Sequence, residues 1–284
     1  MALDYDPSQA ALFHPETQPS LFGAVPTHDE LTLAVEAARL AYLRFDDLQP
    51  GKPTLASLLA VQGFAAPTLF RHAPTDSAGF GTLRQDGSAL LALRGSQINH
   101  IKDVISETQV VRMRWPLGHG KVHCGFAKAA LGLWPSIEHW LNSTAHRRTS
   151  LTITGHSLGA AIATLLAEPA NADFLVAVGS PRVGDPDFSE HLRANQHLRV
   201  MRLVDCCDVV TELVPANLGF EHVHGLGYID RYGNRQEAFS AHSIHQDQQK
   251  ARFDYLTRYA VDERNVFLRE WADHSPINYL RAFW

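Results

Sequence analysis

The sequence predicts an α/β fold: a mostly parallel sheet flanked by helices, with a late edge hairpin and a helical C-terminal segment. Three observations carry this. From residue 125 onward, short apolar runs with strand character alternate with segments of helical period, and such alternation builds parallel strand pairs whose crossovers cover both faces. Apolar residues make up 45% and charged residues 19%, a balance that can bury such a sheet and does not suit a disordered chain. The 284 residues fit one large unit, and no repeat, low-complexity block or linker divides them. The expected organisation is an N-terminal arm over 1–26 and one domain over 27–284.

Taken in order, the arm is rich in Pro, Ser and Gln and reads as poorly ordered or strapped over the surface. Thr27-His-Asp-Glu30 reads as a capping box, and Leu31, Ala34, Val35, Ala38 and Tyr42 then recur at helical spacing, so a helix is expected to run to about residue 45. Residues 81–84 and 89–93 flank Asp86-Gly87 and read as a β-hairpin. A helix is expected over 125–140 despite Pro135, a strand over 151–154, and a helix over 159–168 that stops before Pro169. Next come a strand at 174–178, a short helix at 187–194 and a strand at 198–204. Residues 226–236 read as the edge hairpin around Tyr232-Gly233-Asn234, and the rest as helical with a break before Pro276.

Composition excludes several functions. A net charge of −5 leaves no basic footprint for nucleic acid. No apolar run is long enough to cross a bilayer, and the acidic start lacks the apolar core of a signal peptide. Three cysteines cannot all pair within one chain, and their spacing matches no zinc or redox motif. The expectation is a cytoplasmic protein, although export without a cleaved signal would leave the same sequence. Nothing fixes an oligomeric state.

The segment carrying chemistry is Leu151-Thr-Ile-Thr-Gly-His-Ser-Leu-Gly-Ala-Ala161. A plain glycine-rich turn could carry the same pentapeptide. Here a strand precedes Gly155-His-Ser-Leu-Gly159 and a small-residue helix follows it, the context a nucleophilic serine needs. Ser157 would sit in a strained conformation, and side chains at 155 or 159 would clash with it. The helix start behind it supplies free amides where an oxyanion forms. Serine alone is a weak nucleophile, so a base and an orienting acid are required.

Several further segments, in order over residues 80 to 284, resemble the class 3, fungal-type lipases, an α/β-hydrolase family. Ala92-Leu-Arg-Gly-Ser96 is similar to the family's Arg-Gly-Ser/Thr turn, Lys102-Asp-Val-Ile-Ser-Glu107 to its Asp-Trp-x-x-Asp, and Val122-His-Cys-Gly-Phe126 to its Val-His-x-Gly-Phe. Gly179-Ser-Pro-Arg-Val-Gly-Asp185 resembles its Gly-x-Pro-Arg-Val-Gly, and Cys207-Asp-Val-Val210 its Asn-Asp-x-Val. The chain departs from the pattern at Val104, where tryptophan is expected, and at Thr211, where proline is. The lid region 97–102 is short and polar, with Asn99 and His100, which argues against activation at a lipid interface.

The resemblance implies a triad in chain order Ser, acid, His. Asp208, just past the strand at 198–204, matches the family's acid. Asp205 reads as a strand-end residue, and Asp173 and Asp185 as solvated or capping carboxylates. Among the 16 histidines, two compete for the base. His242 lies in Ala-His-Ser-Ile-His and His274 in Asp-His-Ser-Pro-Ile-Asn-Tyr279; the second matches the family more fully and precedes a final helix that Pro276 can start. His274 is therefore the favoured base and His242 the alternative. His222-Val-His224 lacks a third metal ligand and reads as a polar loop. His156 should pack behind the serine, and His123 should be structural. The oxyanion donors implied are the Leu158 amide and Ser96, through its amide and hydroxyl.

The function expected is hydrolysis of carboxylic, lipid-like esters through an acyl-serine, with no metal or organic cofactor. The partner is then a small ester or lipid substrate, with at most a transient contact to a lipid surface. A phospholipase A or short-chain esterase on the same triad, and a lipase-like regulatory or binding protein without turnover, are the alternatives.

Overall fold

The computed structural model describes residues 3–23, 29–43, 53–95 and 111–283. Its strands are β1 (Thr68–His72), β2 (Ser77–Leu83), β3 (Ser88–Arg94), β4 (Arg112–Arg114), β5 (Lys121–His123), β6 (Ser150–His156), β7 (Phe174–Val178), β8 (Arg199–Asp205), β9 (Leu226–Ile229) and β10 (Arg235–Gln236). Eight of them form one sheet in the order β1-β2-β3-β6-β7-β8-β9-β10, while β4 and β5 pair separately. The central pairs β3–β6, β6–β7, β7–β8 and β8–β9 are parallel. Antiparallel pairs close both edges: β1–β2 and β2–β3 on one side, β9–β10 on the other. The helices are α1 (Gln9–Phe13), α2 (Glu30–Leu40), α3 (Leu55–Val61), α4 (Cys124–Thr144), α5 (Leu158–Leu166), α6 (Pro186–Ala194), α7 (Ala241–Arg258), α8 (Arg269–Ala272) and α9 (Pro276–Leu280).

Both faces of the sheet are buried, and the strand period of two sorts the side chains between them. Leu91, Leu93, Ile153, Leu175 and Ala177 join Phe126, Leu133 and Leu165 in a core beneath α4 and α5. The intervening residues face the other way: Phe174, Val176 and Val178 pack with Ala34, Val35 and Ala38 of α2 and with α9, and Leu90 and Ala92 pack with Leu33, Ala37 and α3. Burying each large aliphatic side chain contributes roughly 1.5–3 kcal/mol. The two threonines of β6 lie on the α2 face. Thr152 donates to the Glu30 carboxylate at 2.6 Å and Thr154 donates to the Ala34 carbonyl at 3.1 Å, so their hydroxyls are satisfied inside.

Several expectations need correction at their boundaries. Helix α2 is capped by Asp29, whose carboxylate accepts the Leu31 and Thr32 amides, and not by a Thr27 box. It ends at Leu40, where Ala41 caps it, five residues short of the expected end; Thr27 and Phe45 lie outside the described residues. Strand β1 and helix α3 offer little sequence pattern. Only Phe70 is buried in β1, an edge strand, and α3 has seven residues. The N-terminal segment is a strap. Val266 N–H donates to the Pro7 carbonyl, Asp6 N–H to the Asn278 side chain and Ser275 O–H to the Ala11 carbonyl, each at 2.8–2.9 Å. Among the described residues, no helix is long and apolar enough to cross a membrane.

Candidate active site

Strand β6 runs into α5 through Ser157, whose φ of 59° and ψ of −126° belong to a region that L-residues rarely occupy. The two flanking glycines make this turn possible. A Cβ on Gly155 would lie 2.4 Å from the Gly159 backbone, and one on Gly159 would lie 2.2 Å from the Leu93 carbonyl oxygen. The turn is thus pressed against the end of β3, with no flexible atom to give way. Ser157 N–H donates to the Val178 carbonyl at 2.9 Å, which ties the turn to β7. Leu158 opens α5, so its amide stands in the helix's first turn without an acceptor four residues back.

The imidazole of His274 meets this serine. Its Nε2 lies 2.9 Å from Ser157 Oγ, and its Nδ1 lies 3.0 and 2.9 Å from the two carboxylate oxygens of Asp208. Asp208 follows β8 after a tight turn in which its amide donates to the Asp205 carbonyl. Its carboxylate also accepts the Val210 amide at 2.8 Å and the Tyr279 hydroxyl at 2.6 Å. All three residues are buried. With Nδ1–H donating to the carboxylate, the Nε2 lone pair faces the serine hydroxyl.

His274 is held from behind. Its carbonyl accepts from His156 Nε2–H at 2.8 Å, which leaves His156 Nδ1 to accept from the Tyr42 hydroxyl at 2.9 Å. Burial, reinforced by the neighbouring His274 imidazole, pushes the His156 pKa well down, so this ring is a neutral brace. Gly179, at φ +59°, passes close by: a Cβ there would stand 2.9 Å from Asp208 Oδ2 and 3.3 Å from His274 Cε1.

A second buried network joins the loops of Asp208 and His274. Asp273 accepts from Cys207 N–H and Arg269 Nε–H, each at 3.0 Å, and from the Tyr5 hydroxyl at 2.8 Å. Burial raises the Asp273 pKa, and the Arg269 guanidinium opposes that rise. Asp205, also fully buried, is pushed well up by burial and by the Asp273 charge, with Arg281 3.6 Å away as partial compensation. Burial and the charge of Asp208 likewise hold the Tyr279 hydroxyl well above its usual range.

The remaining candidates lie elsewhere. His242 sits exposed in the first turn of α7, where its Nε2 meets the Gln246 amide at 2.9 Å. Asp173 accepts the Leu151 amide at 2.7 Å, and Asp185 caps α6. His222 stands 3.6 Å from Glu212. His123 is enclosed by Phe126 and Phe220 with both ring nitrogens unpartnered among the described residues, and burial lowers its pKa to about 4. Ser96, the lid at 97–102 and the 102–107 segment lie outside the described residues. The sequence reading places His156 behind the serine but not its bonds to Tyr42 and His274, nor the roles of Tyr279 and Gly179 beside Asp208. Gly179 and Tyr279 each had a signal, since both stand in motifs the sequence shares with the family.

Residues 90–218 match the family described as Lipase (class 3). Among curated proteins, the lipase of Rhizomucor miehei is 32% identical over 148 residues, which span 46% of this chain and 39% of that one. Phospholipase A1-II 1 of Oryza sativa subsp. indica is 43% identical over 78 residues, 23% of this chain and 19% of that one. The chain thus spans well under half the length of these curated relatives. Lipase II from Rhizopus niveus superposes with a TM-score of 0.58 at 23% identity, covering 76% of this chain and 86% of that one. The lipase from Rhizopus microsporus var. chinensis gives 0.58 at 22%, covering 89% and 93%. These likenesses show the α/β-hydrolase fold, and the match over 90–218, a little under half of the chain, makes that segment similar to the class 3 lipase family.

Proposed function

We propose that the protein hydrolyses carboxylic esters of lipid-like substrates through an acyl-serine intermediate. The observation that supports this most is the line Ser157 Oγ, His274 Nε2, His274 Nδ1, Asp208, with each step at 2.9–3.0 Å. His274 accepts the Ser157 proton as Oγ attacks the ester carbonyl, then returns it to the leaving alcohol. Asp208 holds the Nδ1–H tautomer and stabilises the imidazolium, while Val210 N–H and Tyr279 O–H donate to the carboxylate and fix its position. The Leu158 amide is one oxyanion donor and Ser96 the other; losing such a donor costs on the order of 100- to 1000-fold in turnover. Water activated by the same imidazole then releases the acid. The chemistry runs on these side chains and requires no metal or organic cofactor.

Phospholipase A activity on the same triad is a second reading. It is favoured by the rice relative above and by phospholipase A(1) DAD1 of Arabidopsis thaliana, 40% identical over 84 residues. A fluorophosphonate probe tests the common chemistry: wild type is labelled and Ser157→Ala is not. A folded wild type that takes no label would instead indicate a lipase-like protein without turnover. Hydrolysis profiles on acylglycerols, phospholipids and short-chain esters separate the substrate classes.

A further inference from the structure

We propose that Cys206, Cys207 and Asp273 form a binding site for one thiophilic divalent cation of the zinc class, and that filling it disturbs Asp208 and His274. In an extended strand, adjacent side chains point to opposite faces. Here Cys206 takes φ +25°, and the two neighbouring sulfurs converge to 3.7 Å. A tetrahedral ion with metal–sulfur bonds of about 2.3 Å holds its two sulfurs about 3.8 Å apart, so the thiols already stand at the required bite. One Asp273 carboxylate oxygen and the two sulfurs all lie within 4.8 Å of one another. Asp273 Oδ1 accepts only the Tyr5 hydroxyl among the described residues, which leaves it a lone pair for an ion.

The charges balance. Both thiols are free, and a divalent ion binds as they release two protons to solvent, so two thiolates neutralise it. The existing pair of Arg269 with Asp273 need not break. A way in is present: Cys207 lines a cleft of about 330 Å³ between the β8–β9 side of the sheet and α7, together with Asp208, Tyr228, Gln248 and Arg252. Beside Ala251, Cys206 Sγ–H donates to Asp247 Oδ2 at 3.5 Å and Cys207 Sγ–H to the Gln248 carbonyl at 3.6 Å. Neither contact asks the two sulfurs to converge.

Chain connectivity supplies the coupling. Cys207 directly precedes Asp208, and Asp273 directly precedes His274; the Cys207 amide donates to Asp273 at 3.0 Å. An ion that draws the two sulfurs and the carboxylate together therefore pulls on the acid and the base at once. This consequence rests on the ester-hydrolase reading, whereas the binding itself does not.

Cadmium is the probe, because its thiolate charge-transfer band reports binding in the ultraviolet without any turnover. Wild type and Cys124→Ser should each bind one ion with this band, and X-ray absorption on the wild-type complex should count two sulfur neighbours. Cys206→Ser and Cys207→Ser should lose the band. The site is refuted if wild type shows no band, if the band survives in either serine variant, or if the sulfur count is not two; the wild-type measurements decide even if a variant fails to fold. One equivalent should lower wild-type ester turnover by about tenfold or more. A full band with unchanged turnover refutes the coupling. A protein that turns over no ester in the absence of cadmium defeats the hydrolase reading instead, and the spectroscopic result still judges the site.

Discussion

The region that carries Ser157 and the region that carries Asp208 and His274 are both buried, yet they are held in different ways. Around the serine, β3, β6 and α5 meet through glycines, alanines and aliphatic side chains, and the strained turn persists because Leu93 and Gly159 leave it nowhere to relax. Around the acid and base, the interior is polar. Asp205, Asp208, Asp273, His156, Arg269, Asn278 and Tyr279 are all withdrawn from water, with Arg269 bound to Asp273, Tyr279 to Asp208, and Asn278 to the Ala272 carbonyl. Packing between β3, β6 and α5 fixes Ser157. Asp208 and His274 depend on groups brought together from opposite ends of the chain.

That difference can be broken from either side, and the largest effect is expected at the elbow. Gly159→Ala places a methyl group 2.2 Å from a backbone oxygen. We expect it to cost at least about 4 kcal/mol or to abolish folding, as read by denaturant unfolding. A stable variant with normal probe labelling would show that the turn is not held by packing. On the polar side, Arg269→Met leaves Asp273 buried without its cation, and a loss of about 3 kcal/mol is expected in the same measurement. A neutral outcome would mean that the network is not under electrostatic constraint.

A smaller, pH-dependent effect separates buried histidines from the triad. His123 has a folded pKa of about 4 against an ordinary value of 6.5. Between these values the unfolded chain binds the extra proton, so stability is full above about pH 6.5 and is lost as the pH falls toward 4. His123→Phe removes that term, and its stability relative to wild type should improve by about 2 kcal/mol from pH 8 to pH 5. An unchanged difference would remove His123 from the acid response.

The same contrast explains what was legible in the sequence. The elbow is local: strand period, two glycines and a small-residue helix start all fall within Leu151 to Ala161. The alternation that predicted the parallel sheet is also local, and it placed the central strands to within a few residues. The partners of the serine are not local. His274 meets Asp208 across 66 positions and Ser157 across 117, and Tyr5 meets Asp273 across 268, so no periodicity could join them. The family resemblance, with the position before a final helix that Pro276 can start, ordered His274 above His242. The structure shows why the two His-Ser pairs look alike. Ser243 belongs to the capping box of α7, and Ser275 caps α9, so both dipeptides are helix starts. One start happens to face solvent and the other the nucleophile.

The most direct test of this account is to measure ester turnover and fluorophosphonate labelling for His274→Ala and His242→Ala side by side, with folding checked by circular dichroism. The account predicts that His274→Ala loses about 10⁴-fold or more in turnover and labels far more slowly, while His242→Ala keeps nearly all of both. Near-normal activity in folded His274→Ala, with loss in His242→Ala, would contradict it.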